Sequence, residues 1–139
     1  MPSEPINFYF SAKDPEFVTK HIVVESKSPN YISHSFVRCP IYNLKNKQIG
    51  YKVSDDYIQQ VSQNKYIVRL NNTYQLKNGT ISWQYVFEND KPEIYYPVDI
   101  PAFSNIISAT GNYYGKSGTV TLIPLQNGRR NVNITFNTK

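Results

Sequence analysis

One glycine-rich stretch carries the most suggestive chemistry in this sequence. Residues 109–122 read ATGNYYGKSGTVTL, and the Gly-Lys-Ser at 115–117 is the tail of a phosphate-binding loop. A complete loop would have its first glycine at position 110, which is Thr110, and would open a helix. The residues that follow alternate like a strand and stop at Pro124. We therefore predict that this stretch binds no nucleotide.

The same glycines have a structural interpretation. Gly111, Gly115 and Gly118 are expected to form a corner between two strands, where glycine supplies a positive φ or close backbone approach. Tyr113 and Tyr114 would then cap one end of the fold.

Other reactive side chains are few. His21, His34 and Cys39 are the only histidines and cysteine, and their spacing fits no zinc site. A Cys–His nucleophile pair is formally available, but a buried thiol and surface imidazoles are the expected arrangement. The sequence thus predicts no catalytic residue, no metal and no cofactor.

The bulk composition narrows the classes of protein. The 139 residues fit one domain, and the net charge of +5 comes from scattered lysines without a basic run. Nucleic-acid binding is therefore not expected. The chain shows no signal-peptide pattern and no apolar run long enough to span a bilayer. These features predict an intracellular protein, cytoplasmic or in a virion, without membrane association.

Short alternating segments separated by turn signals predict an all-β protein. The prolines at the start predict an irregular N-terminal arm over residues 1–17, followed by a single barrel domain over residues 18–139. Eight strands are predicted at residues 19–26, 31–42, 48–60, 65–76, 80–87, 102–109, 116–125 and 130–138. The apolar face of such a sheet is buried either by a second sheet in a sandwich or by closure of the sheet into a barrel.

Two of these strands carry apolar rows that a polar residue interrupts. In the third strand Asp55 and Tyr57 belong to the row Ile49, Tyr51, Val53, Asp55, Tyr57. In the fourth strand Asn72 and Tyr74 belong to the row Tyr66, Val68, Leu70, Asn72, Tyr74, Leu76. If these rows face a lumen, Asp55, Asn72, Tyr57 and Tyr74 would line a ligand site. Alternatively, the rows face outward toward another subunit or slip through a bulge.

The glycine-rich stretch resembles the late motif of the dirigent and allene oxide cyclase superfamily. That motif runs roughly I-x-G-G-T-G-x-Y/F-x-G-A-x-G-x-V-x-L, and here Ser108 and Ala109 replace its first two glycines. Residues 42–50 are similar to a second family pattern, F/Y-D-x-x-G-x-x-V-G, that comes before this motif in the chain. The positions that fit the late motif are Thr110, Gly111, Tyr113 or Tyr114, Gly115, Gly118 and Val120.

The resemblance implies a single eight-stranded antiparallel β-barrel of the calycin-like kind, commonly a homotrimer. It also implies a ligand-binding role for Glu25, which lies where the cyclase has a glutamate. Lys27 and Asn43 replace two other functional residues of the family, so the implied catalytic set is incomplete.

Two functions remain open from the sequence. The first is a non-catalytic oligomeric barrel that serves as a structural or interaction protein, such as a virion component of a large virus. The alternative is a dirigent-like or cyclase-like barrel that binds a small apolar ligand in its lumen. A lumen filled by aromatic side chains would favour the first, and a hollow polar lumen would favour the second.

Overall fold

The computed structural model describes residues 4–93 and 101–137. All pairs of neighbouring strands in the described residues are antiparallel. The strands are β1 (Ile6–Ser11), β2 (Val18–Glu25), β3 (Ile32–Asn43), β4 (Gln48–Ser62), β5 (Lys65–Leu76), β6 (Gly79–Asn89), β7 (Ala102–Ala109), β8 (Gly118–Pro124) and β9 (Arg129–Phe136). A short 3-10 turn, Gly111–Tyr113, lies between β7 and β8.

The sheet closes on itself to form a barrel. Its strand order is β1-β9-β8-β7-β6-β5-β4-β3-β2, and closure comes from the pairing of β1 with β3. That pairing is short and joins Phe8 to Asn43 and Tyr9 to Tyr42. β2 stays outside the ring, hydrogen-bonded to β3 alone among the described strands. The predicted eight-stranded antiparallel barrel is therefore confirmed, with β2 as an additional strand.

The predicted strands agree with β2 to β9, and no bound differs by more than two residues. The N-terminal segment differs from the prediction, because Ile6–Ser11 is a barrel strand and not an irregular arm. Pro5 and Pro15 bracket this strand without interrupting it, and its inward side chains Phe8 and Phe10 are buried. Burial of these two rings explains why so short a segment joins the sheet.

Large apolar side chains fill most of the interior. One cluster occupies the closed part of the barrel and a smaller one, around Ile58, Val68 and Leu70, lies further along β4 and β5. The main cluster contains Phe8, Phe10, Cys39, Ile41, Tyr74, Ile81, Trp83, Ala102, Val120, Leu122, Val132, Ile134 and Phe136. Ile81 and Trp83 of β6 are fully buried in this cluster.

The glycine-rich stretch forms a barrel corner. Gly111 has φ +62° and lies against the backbone of Asn78, so that a Cβ on Gly111 would overlap the Asn78 carbonyl oxygen. Gly115 has φ +77° but faces open space. Tyr113 stacks on Phe136 at a centroid distance of 6.0 Å and covers the end of the core. Tyr114, by contrast, is 82% exposed and caps nothing.

This corner offers a matched pair of variants. Both Gly111→Ala and Gly115→Ala put alanine at a positive φ, which costs about 1 kcal/mol. Only Gly111→Ala also drives a methyl group into backbone, and we expect it to lose about 2 kcal/mol of unfolding free energy in total. Urea unfolding followed by circular dichroism measures both. Equal losses would contradict the close-approach explanation.

Candidate functional site

A cavity of about 270 Å³ lies beside the short β1–β3 closure. Beyond Tyr9, β1 no longer pairs with β3, because the chain reverses and returns as β2 on the same edge of β3. The space between these segments is the cavity. Its lining residues are Phe10, Ala12, Phe17, Thr19, Ser35, Val37, Lys52, Asp56 and Arg130. We call this space the seam cavity.

The turn that borders the seam cavity is fastened to the barrel. The Tyr42 hydroxyl donates a hydrogen bond of 2.7 Å to Asp14 Oδ2. The bond to the carboxylate is the main reason that the pKa of Tyr42 rises to about 12. Because Asp14 lies between Ala12 and Phe17, this contact fixes the segment that supplies two apolar residues to the cavity wall.

Lys52 extends from β4 into the seam cavity and is only 9% exposed. Its Nζ lies 4.5 Å from the centroid of the Phe10 ring, a cation–π contact. Burial lowers the pKa of Lys52, while the nearby Asp56 carboxylate opposes this shift. The neighbouring Cys39 thiol is fully buried, and burial raises its pKa. Cys39 is therefore suited to packing and not to nucleophilic attack.

Asp56 lies four residues further along β4, on the same face as Lys52, and is 5% exposed. Its Oδ2 accepts a hydrogen bond of 3.3 Å from the Ser54 hydroxyl, whereas its buried Oδ1 has no partner. Burial is the main cause that raises the pKa of Asp56 to about 6, although Lys52 lowers it. A carboxyl group with this pKa can gain or release a proton close to neutral pH.

The interior polarity continues across the neighbouring strands. The register aligns Ser54 of β4 with Asn72 of β5, and Asn72 with Trp83 of β6. Asn72 Nδ2 and Trp83 Nε1 are buried without a hydrogen-bond partner. Buried donors of this kind are costly when they stay unpaired. They show that the interior contains polar positions beyond those of the seam cavity.

The structure separates the residues that the sequence grouped into one site. Asn72 and Tyr74 point inward and are buried. Asp55 and Tyr57 lie on the outer face of β4, where Asn71 Nδ2 donates to Asp55 Oδ1 at 2.9 Å. Glu25 ends the external strand β2 and accepts a hydrogen bond from the Lys27 amide. Asp55 and Tyr57 therefore follow the outward alternative for their row, and Glu25 lies on the strand outside the barrel ring, so a lumen position is wrong for these three residues. The ligand-binding role of all five residues stays a prediction.

A lumen site at Asp55 would require this face of β4 to point into the barrel, and it points outward. The outer row of β4 is rich in aromatic and branched residues, and two of the aromatic rings make contacts on the outer surface. Tyr57 stacks on His34 at 4.0 Å, and the Arg38 guanidinium lies 3.9 Å from the Tyr51 ring centroid. Sequence reasoning missed Lys52 and Asp56 for this reason. The available signal was the K-x-S-x-D alternation at 52–56, which places three polar residues on one face.

The barrel is similar in fold to pyocyanin demethylase. That solved structure has a TM-score of 0.69 and 12% sequence identity, and the match covers 96% of this chain and 100% of the other. A structure described as AbnU, an exo-specific intermolecular Diels-Alderase, matches with a TM-score of 0.49 and 10% identity over 96% of this chain and 98% of the other.

Sequence comparisons add no family to this picture. No family model matches the chain, and no curated protein matches it significantly. The resemblance to the dirigent and allene oxide cyclase superfamily accordingly stays a prediction, while the small β-barrel fold is shown.

Within residues 4–93 and 101–137, no group of three or more His, Cys, Asp or Glu side chains could hold a metal ion. The described part of the chain also contains no helix with the length and apolar character needed to cross a bilayer.

Proposed function

We propose that the protein binds a small molecule in the seam cavity, with an apolar body and an acidic head group. The observation that carries this proposal is the unpaired, buried Asp56 Oδ1 in a cavity that also contains the buried Lys52 ammonium. Two buried ionisable groups that reach the same space are costly in a purely structural barrel. A ligand that contacts both groups would offset that cost.

The cavity wall specifies the two ends of such a ligand. Phe10, Phe17 and Val37 provide an apolar surface for a ring or short hydrocarbon body. Lys52 and Arg130 provide positive charge for a carboxylate or phenolate oxygen. The protonated form of Asp56 can donate to the same oxygen. The cavity volume of about 270 Å³ restricts the ligand to a compact aromatic or alicyclic acid.

The comparison supports this proposal at the level of fold. The name of pyocyanin demethylase describes a protein that acts on a small molecule, and its fold spans the whole of this barrel. A role as a structural component of a virus particle has no comparable support. We therefore favour the ligand-binding alternative over the structural role.

Calorimetric titration with naphthoate and with its neutral counterpart naphthamide tests the proposal. We expect naphthoate to bind saturably and naphthamide to bind at least about tenfold more weakly, because the amide gains no charge interaction with Lys52. Lys52→Met should weaken naphthoate binding by a similar factor. Lys47→Met, which changes an exposed lysine in the β3–β4 turn, should leave it unchanged.

The pH dependence provides a second criterion. Ionised Asp56 repels an anionic head, so naphthoate should bind more tightly at pH 5 than at pH 7.5 because the pKa of Asp56 is about 6. Asp56→Asn should remove most of that difference. The proposal fails if neither probe binds, or if Lys52→Met and Lys47→Met bind naphthoate equally well.

A further inference from the structure

The external strand β2 has an open edge. Among the described strands it pairs with β3 only, and seven of its eight residues are exposed. The exposed residues include Val18 at 62%, Ile22 at 40% and Val24 at 65%. An exposed edge strand with unpaired backbone groups is a template for pairing with another strand.

A bulge in β2 determines which side chains share its outer face. Val23 pairs with Ser33 and Glu25 pairs with Ile32, so Val24 is the extra residue. Ser33 points into the barrel and is buried, whereas Ile32 points outward. The bulge therefore puts Glu25 on the same outer face as Lys20 and Ile22, which pair with Phe36 and His34.

This arrangement makes the edge complementary to itself. In an antiparallel pair of two β2 strands related by a two-fold axis at Ile22, each Ile22 lies opposite its copy. Counting outward through the bulge, Lys20 of each strand lies opposite Glu25 of the second copy. Directly opposed charges of opposite sign stabilise an antiparallel pair, and like charges destabilise it. Glu25 Oε1 accepts the Lys27 amide, which leaves Oε2 for this contact.

We propose that the β2 edge joins two copies of this chain into a two-fold symmetric dimer with a continuous sheet. A two-fold axis produces an isologous contact that closes after two subunits. The dimer therefore differs from the homotrimer that the family resemblance implies. The contact is independent of the seam cavity proposal, although Thr19 of β2 also lines that cavity on the inner face.

Light scattering of the full chain at micromolar concentration tests the dimer. Ile22→Lys sets two positive charges against each other at the axis, and we expect it to give the monomer mass. Ile107→Lys makes the same substitution on β7 at a residue that is 64% exposed, and it should remain dimeric. A wild-type monomer or trimer, or a dimer that only Ile107→Lys disrupts, overturns the proposal.

A charge exchange makes the test specific to the register. Lys20→Glu and Glu25→Lys should each raise the dimer dissociation constant at least about tenfold, because each creates two like-charge contacts. The double variant Lys20→Glu/Glu25→Lys restores opposite charges and should recover wild-type association. Melting temperatures confirm that each variant folds. Failure of the double variant to recover overturns the proposed register and with it the proposal.

Discussion

Asp56→Asn is expected to make the protein more stable than wild type above pH 7, by about 3 kcal/mol. Burial raises the pKa of Asp56 from 3.8 to about 6, so the ionised side chain is destabilising in the folded state. Asparagine resembles the protonated carboxyl group and carries no charge into the barrel. The gain should therefore measure the cost of keeping a buried acid at this position.

The sign of the pH dependence follows from proton linkage. Between pH 4 and pH 6 the folded state binds more protons at Asp56 than the unfolded state does, because its pKa is raised on folding. Stability from this group is fully present below pH 4 and is lost as the pH rises through about 6. The advantage of Asp56→Asn should accordingly disappear at pH 4.

The adjacent residue provides the control. Asp55 lies on the outer face of β4, and an asparagine there can still accept the Asn71 hydrogen bond. We expect Asp55→Asn to change the unfolding free energy by less than about 0.5 kcal/mol at both pH values. Urea unfolding of wild type and both variants at pH 4 and pH 7.5 measures these differences. A gain in Asp55→Asn with none in Asp56→Asn would show that the assigned facing is reversed.

Trp83→Ala is expected to have the largest effect on stability. Trp83 is fully buried within the main core cluster, with ring centroids of Tyr74 and Tyr85 each at 6.5 Å. Removing the indole leaves a large cavity and should cost about 3–5 kcal/mol of unfolding free energy. Trp83 is the only tryptophan in the sequence, so the variant has no tryptophan fluorescence to follow. Chemical denaturation followed by far-ultraviolet circular dichroism therefore measures the loss.

Two further variants separate packing from polarity. Trp83→Phe keeps an aromatic ring and removes the unpaired Nε1 donor, so it should cost clearly less than Trp83→Ala. Phe103→Ala removes an aromatic side chain that is 62% exposed, and its cost should stay within about 0.5 kcal/mol. Similar losses in Trp83→Ala and Phe103→Ala would contradict the assignment of Trp83 to the barrel core.

The alternation of apolar and polar residues predicted β2 to β9 because each strand carries its own local pattern. The segment 65–76, for example, alternates along its whole length and turns at Asn78 and Gly79, and both of its bounds agree with β5. The corner at residues 111–118 could also be predicted from the sequence, because glycine at a positive φ is a local requirement. Local propensity and turn chemistry therefore suffice for eight of the nine strands, for their bounds and for the antiparallel class.

The closure of the barrel depended on contacts that local patterns do not encode. β1 is short and flanked by prolines, so its sequence predicts irregular chain. It becomes a strand because the edges of β9 and β3 both lie open beside it, and because Phe8 and Phe10 fill the interior there. The seam cavity arises from the same closure, since β1 and β2 share one edge of β3.

By itself, the sequence determined an all-β chain of alternating strands with a glycine corner. The tertiary structure alone decided which face of β4 points inward. A period of two divides a strand into two faces but does not say which face is inside. In β4 each face carries one aspartate, Asp55 on one and Asp56 on the other. In the closed barrel Asp56 is the inward acid, and Lys52 and Asp56 line the seam cavity together only after the barrel has closed.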